Sequence, residues 1–293
     1  MTTNISRRIF ITLFVIAIST FAAFAQTKES PSPDRFARLD ALRVHYRTYG
    51  DGKNAVVFIH GWTCNLNFWK ANIPTFTNRL RVIAIDLPGH GESDKPEITY
   101  TMDLFARAID AVLTDAGVER ATLVGHSMGT PVIRQFYRKY PNKTLALVIV
   151  DGSLRPFGNN EGMKQFLDQL RASNYKEQAA QIVGFMVQPV KDKKNQEEIK
   201  AAMLSAPQHV MVGAWEAMLD ESIWKQDKIN VPTLALMAKR TQWNDEYEKF
   251  VRELVPGVDY QVWEGVSHFL MMDDPQKFND TVLAFLEKNK LIK

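Results

Sequence analysis

Between an apolar run, Ala121-Thr122-Leu123-Val124, and a helix-forming stretch over residues 131–138, the chain reads Gly125-His126-Ser127-Met128-Gly129-Thr130. Gly-x-Ser-x-Gly between a strand and a helix is the sequence form of a nucleophile elbow. The turn is so tight that its serine must adopt a strained backbone, and a glycine on each side leaves room for it. Such a turn lifts the Ser127 hydroxyl clear of a sheet, onto the N-terminus of a helix. Unpaired N–H groups there favour developing negative charge. This feature constrains the fold most, because it requires a buried strand ending at a helix.

The remaining chain supplies such strands. Short apolar runs recur at 42–49, 55–59, 81–85, 121–124, 145–150, 233–237 and 260–263. Most are continuously apolar, as expected for strands covered on both faces of a parallel sheet. Helical patterns separate them at 68–77, 102–116, 131–140, 245–254 and 275–288. Thr101 reads as the start of the second helix and Gly117 as its stop. This alternation implies an α/β domain with a mostly parallel sheet flanked by helices. The strand region before Ala55 has no intervening helix and is expected to form an antiparallel hairpin at the sheet edge.

Between residues 152 and 230 the alternation stops, and the sequence turns helical and rich in large apolar side chains such as Phe166, Phe185, Met211 and Trp215. It reads as an inserted helical cap, with the core running over 35–151 and 231–293. Most of those side chains are expected to pack within the cap, because amphipathic helices bury their apolar stripe first.

The first 25 residues read as an export signal. Arg7-Arg8 precedes an apolar stretch that ends in Ala23-Phe24-Ala25, an A-x-A cleavage site. Cleavage after Ala25 is expected, giving a periplasmic or secreted protein by Sec or twin-arginine export. Residues 26–34 read as a linker. Removing the two arginines leaves 34 of the 36 basic residues against 33 acidic ones, a net charge near +1. That balance offers no electrostatic footprint for nucleic acid. The lone cysteine, Cys64, allows no internal disulfide. No metal-ligand cluster or phosphate loop is present, so neither metal nor cofactor is expected.

A serine hydroxyl needs an adjacent base, and the base needs a group to orient it. His268, in the loop after the last strand, has the residue type and chain position of that base. His60 and His126 read as structural residues. Asp86, in the sharp loop Asp86-Leu87-Pro88-Gly89-His90-Gly91, reads as a structural hydrogen-bonding residue.

Taken together, His60-Gly61-Trp62, the Asp86–Gly91 loop, the Ser127 elbow and Gly265-Val266-Ser267-His268 resemble the α/β-hydrolase superfamily of the serine-nucleophile, helical-cap type. The resemblance runs from about Val44 to the C-terminus. It implies an oxyanion hole formed by the backbone N–H groups of Trp62 and Met128. It also implies hydrolysis through an acyl-enzyme, without a cofactor, of a small-molecule substrate. The apolar cap suggests a hydrophobic carboxylic ester. A lactone, an amide or a carbon–carbon bond would use the same Ser-His core, and a ligand-binding pseudo-enzyme is a further reading.

The chain departs from the family at the acid. Many relatives carry Gly-x-x-Asp after the strand that begins Val-Pro-x-Leu. Here Ala238 stands at the glycine and Thr241 at the aspartate. Asp151, at the carboxyl end of the strand after the elbow helix, is the leading substitute, and Asp245 the alternative.

Overall fold

The computed structural model describes residues 33–156 and 160–292. The expected signal peptide and most of the linker lie outside the described residues. Among these residues no helix is long and apolar enough to cross a membrane.

Eight strands form one sheet: β1 Arg35–Leu39, β2 Leu42–Tyr49, β3 Asn54–Ile59, β4 Arg81–Ile85, β5 Arg120–His126, β6 Thr144–Val150, β7 Thr233–Ala238 and β8 Asp259–Trp263. Their order is β1-β2-β4-β3-β5-β6-β7-β8. β1 and β2 form an antiparallel hairpin at the edge, β2 also meets β4 antiparallel, and every later pairing is parallel. The central strands are buried almost end to end, which is why their sequences are continuously apolar rather than alternating.

The topology aims the loops. Strand order reverses at β3, which lies between β4 and β5. Ligands in such sheets bind outside the carboxyl ends of strands beside a reversal of this kind. The segments His60-Gly61-Trp62, Asp86, Ser127, Asp151 and His268 all follow the carboxyl ends of parallel strands. They therefore share one edge.

Among the described residues, α1 Ile73–Thr77, α2 Met102–Ala116, α3 Gly129–Lys139, α8 Asp245–Leu254, α9 Leu270–Asp273 and α10 Pro275–Lys288 belong to the core. Four more, α4 Asn160–Arg171, α5 Tyr175–Val187, α6 Lys193–Leu204 and α7 Gln208–Leu219, lie between β6 and β7, within the interval read as the cap. The expected helix at 68–77 is instead a 3-10 turn, Leu66–Trp69, followed by the short α1. Pro74 accounts for the break. It has no N–H to return to the carbonyl of Lys70, and it is tolerated only in the first turn of a new helix. In α2 the Thr101 hydroxyl accepts from the Leu104 N–H at 3.0 Å, as the capping pattern required.

Candidate active site

The elbow is strained as its motif demands. Ser127 has φ +54°, a left-handed conformation rare for a residue with a side chain. Its N–H donates to the Val150 carbonyl at 2.9 Å, which ties the turn to the neighbouring strand. A Cβ on Gly125 would lie 2.5 Å from the Gly129 carbonyl oxygen, so only glycine fits there. A Cβ on Gly61 would lie 3.0 Å from the Ser127 Cβ. The loop carrying Trp62 thus passes directly against Ser127. Neither the Trp62 nor the Met128 N–H donates to another described residue. Met128 caps α3, where N–H groups have no intrahelical partner.

Three side chains from three loops form a hydrogen-bonded line. His268 Nε2 is 2.9 Å from Ser127 Oγ, and His268 Nδ1 is 2.6 Å from Asp151 Oδ2. A carboxylate only accepts, so Nδ1 carries the proton and Nε2 turns its lone pair toward the hydroxyl. Asp151 is itself held at φ +46° and is almost completely buried. Its Oδ1 accepts from the Ala238 N–H at 2.9 Å and the Trp243 Nε1–H at 2.8 Å. Its Oδ2 also accepts from the Arg240 guanidinium. A buried carboxylate needs such donors to remain charged without a large desolvation cost.

Asp245, the alternative acid, is not brought to this line. Asn244 caps α8 with its side chain and fixes Asp245 in the exposed first turn, where its charge meets the helix N-terminus rather than His268. Cys64 is buried, and burial pushes its thiol up, away from nucleophilic reactivity.

The other histidines brace the loops. His60 Nε2 accepts from the Leu87 N–H at 3.1 Å, and its Nδ1 donates to the Gly61 carbonyl at 2.8 Å, joining the loop after β3 to the loop after β4. Burial holds it below the ordinary histidine range. His126 donates from Nε2 to the His268 backbone carbonyl at 2.8 Å, and burial together with the nearby His268 holds it well below that range. Sequence reasoning treated His126 as packing; it is also a strut under the candidate base. Asp86 accepts from the N–H groups of Leu66 and Glu92 and lies 2.7 Å from His45 Nδ1. Burial disfavours its charge, but these hydrogen bonds and His60 outweigh it and keep its carboxyl below the usual range. It is a latch at the base of the site, outside the reacting line.

Above Ser127 lies a cavity of about 310 Å³, within the usual size range of small-molecule sites. Trp62, Met186, Trp215, Met218 and Trp243 line much of it. The Trp62 indole joins the loop after β3 to the helices between β6 and β7, donating to the Met211 carbonyl at 2.9 Å and meeting Phe166 and Trp215 edge-on at 5.6 Å. Phe166 and Trp215 stack at 3.9 Å.

Residues 54–275 match the family described as alpha/beta hydrolase fold. The chain belongs to this family. Over 271 residues this alpha/beta hydrolase is 27% identical to non-heme chloroperoxidase CPO-A1 of Kitasatospora aureofaciens, an alignment covering 85% of the chain and 98% of that protein. A 137-residue stretch is 34% identical to the dihydrolipoyllysine-residue acetyltransferase component of an acetoin cleaving system from Cupriavidus necator. That match spans 47% of the chain but only 37% of the relative's length. Among solved structures, the fold resembles an esterase from Exiguobacterium antarcticum, with TM-score 0.76 and 20% identity over 87% of the chain and 99% of that protein.

The residues that sequence reasoning missed are the donors to Asp151. Arg240 and Trp243 sit in the loop after β7, where the family's aspartate is missing. The absent acid was itself the signal, since that loop was free to carry donors instead of an acceptor.

Proposed function

We propose that this chain is an exported serine hydrolase that cleaves small hydrophobic carboxylic esters through an acyl-enzyme. The reading rests above all on one observation, that His268 bridges Ser127 Oγ and Asp151 Oδ2 at 2.9 and 2.6 Å. Ser127 Oγ attacks the ester carbonyl carbon while His268 Nε2 takes its proton. The carbonyl oxygen becomes an oxyanion that accepts from the Trp62 and Met128 N–H groups. As the tetrahedral intermediate collapses, the carbon–oxygen bond to the alcohol breaks and His268 returns its proton to the leaving oxygen. Water, deprotonated by His268, then attacks the acyl carbon and releases the acid and the Ser127 hydroxyl. Asp151 keeps the imidazole in the required tautomer and stabilises its charged form.

The aromatic, sulfur-rich cavity of about 310 Å³ favours an apolar substrate of modest size. The solved esterase and the chloroperoxidase relative are compatible with this reading but do not choose a substrate. Hydrolysis of p-nitrophenyl esters from acetate to dodecanoate, by the wild type and by Ser127→Ala, tests it. The expected result is an optimum at short to medium acyl length, with at least about a thousandfold loss on Ser127→Ala. Full activity in Ser127→Ala would overturn the reading. A wild type that is inert to esters yet labels at Ser127 would redirect it to a lactone, amide or carbon–carbon substrate.

A further inference from the structure

Asp151 is well satisfied without Arg240. It accepts from the Ala238 N–H, the Trp243 indole and His268, and three hydrogen bonds are ample for a buried carboxylate. Arg240 adds a fourth, through Nη2 alone. No described residue accepts from its Nε or Nη1. Its side chain stays 32% exposed while Asp151 is 0% exposed. Among the described residues lining the catalytic cavity, Arg240 is the one permanent cation, set in a wall dominated by Trp62, Trp215, Trp243 and methionines. A guanidinium presents five donors in a planar fork shaped for carboxylates, and its contacts strengthen where aromatic walls exclude water. The fork also lies one carboxylate and one imidazole from Ser127 Oγ, through the chain of contacts Arg240–Asp151–His268–Ser127.

We propose that the substrate carries a carboxylate, on one side of the scissile bond, which the unused edge of the Arg240 fork receives. This deepens the serine-hydrolase reading and rests on it. The apolar wall takes the hydrocarbon part of the substrate and Arg240 takes its charged end. A neutral ester of the same length is then a poorer substrate, because it leaves the guanidinium facing an apolar group.

The test compares matched substrates. One series pairs p-nitrophenyl hemi-esters of succinate and glutarate with the butyrate and valerate esters. The other pairs 4-acetoxybenzoate with 4-acetoxybenzamide. The readout is the ratio of kcat/KM for the anionic over the neutral member, measured in the wild type, Arg240→Gln and Arg240→Lys. Any loss transmitted through Asp151 strikes both members and cancels in the ratio. In at least one series the wild-type ratio is expected to exceed that of Arg240→Gln on the order of tenfold to a hundredfold, the worth of one charge-assisted contact. Arg240→Lys should recover part of it. A ratio unchanged by Arg240→Gln in both series overturns the proposal and leaves Arg240 as a partner of Asp151 alone. Fluorophosphonate labelling in parallel separates the two failures. A protein that labels at Ser127 without an Arg240-dependent ratio contradicts only the carboxylate assignment, whereas one that does not label contradicts the hydrolase reading as well.

Discussion

Replacing Asp151 with Asn probes the site through hydrogen-bond arithmetic. Each carboxylate oxygen of Asp151 receives two donors: Ala238 N–H and Trp243 Nε1–H on Oδ1, His268 Nδ1–H and Arg240 on Oδ2. A carboxamide has one oxygen and one NH2, so in either orientation the NH2 faces two donors. With NH2 at the Oδ2 position, His268 must move its proton to Nε2 and can no longer accept from Ser127. With NH2 at the Oδ1 position, the end of β7 and the loop after it lose their two Oδ1 anchors, Ala238 N–H and Trp243 Nε1–H, and keep only Arg240. The expected outcome is a fall in kcat/KM of about ten-thousandfold, or about 5.5 kcal/mol of barrier. Stability should fall by about 3 kcal/mol, because a buried pair is broken and donors are left unpaired. Ester kinetics on protein shown to be folded by circular dichroism, with urea melts alongside, measure both. Asp245→Asn, in an exposed first turn, should stay within about twofold of wild type. Asp151→Asn retaining activity within tenfold, or matching Asp245→Asn, would refute the assignment of the acid.

Other outcomes follow from the same geometry. Trp243→Phe keeps the ring but removes the indole donor to Asp151 Oδ1; kcat on p-nitrophenyl butyrate should drop about tenfold with KM little changed. Burial holds His60, His90 and His126 below the ordinary histidine range, His90 at about 3. The unfolded chain binds their protons below about pH 6.5, so stability should be lost as pH falls from 6.5 toward 5, with His90 alone approaching about 1.4 kcal/mol per pH unit well below 6.5 and His60 and His126 adding in the same sense. His45 works in the opposite sense. Burial disfavours its charge, but Asp86 and Asp34 raise it above its ordinary value, so its contribution is complete below about pH 6.5 and is lost as pH climbs through the raised value. Urea midpoints between pH 5 and 8 check both signs. In an expressing bacterium, Edman sequencing of the exported protein should begin at Gln26.

Much of this was legible because the motifs are constrained locally. The glycines around Ser127 are demanded by a turn only a few residues long, and β-branched runs such as Val148-Ile149-Val150 announce strands buried on both faces. Asp151 was legible as a strand-end carboxylate, but its donors were not. Trp243 and Arg240 reach it across about ninety residues of chain, and no local pattern encodes that distance. The break before α1 was written in Pro74 and overridden by the apolar run around it. The cap was the least legible. Three of its helices, α5, α6 and α7, carry apolar side chains over more than one face, and nothing in the order of residues marks Trp215 as a cavity wall. Phe185, one of the minority of apolar side chains that do not pack inward, is 81% exposed at the rim of the cavity.

That Ser127 is an activated nucleophile is tested most directly by reaction of the folded protein with a fluorophosphonate, followed by peptide mass spectrometry. One phosphonyl group per chain is expected, on the peptide containing Ser127, with labelling abolished in Ser127→Ala and slowed by orders of magnitude in His268→Ala. A folded protein that takes up no label, or takes it up on another serine at the same rate in both variants, would contradict it.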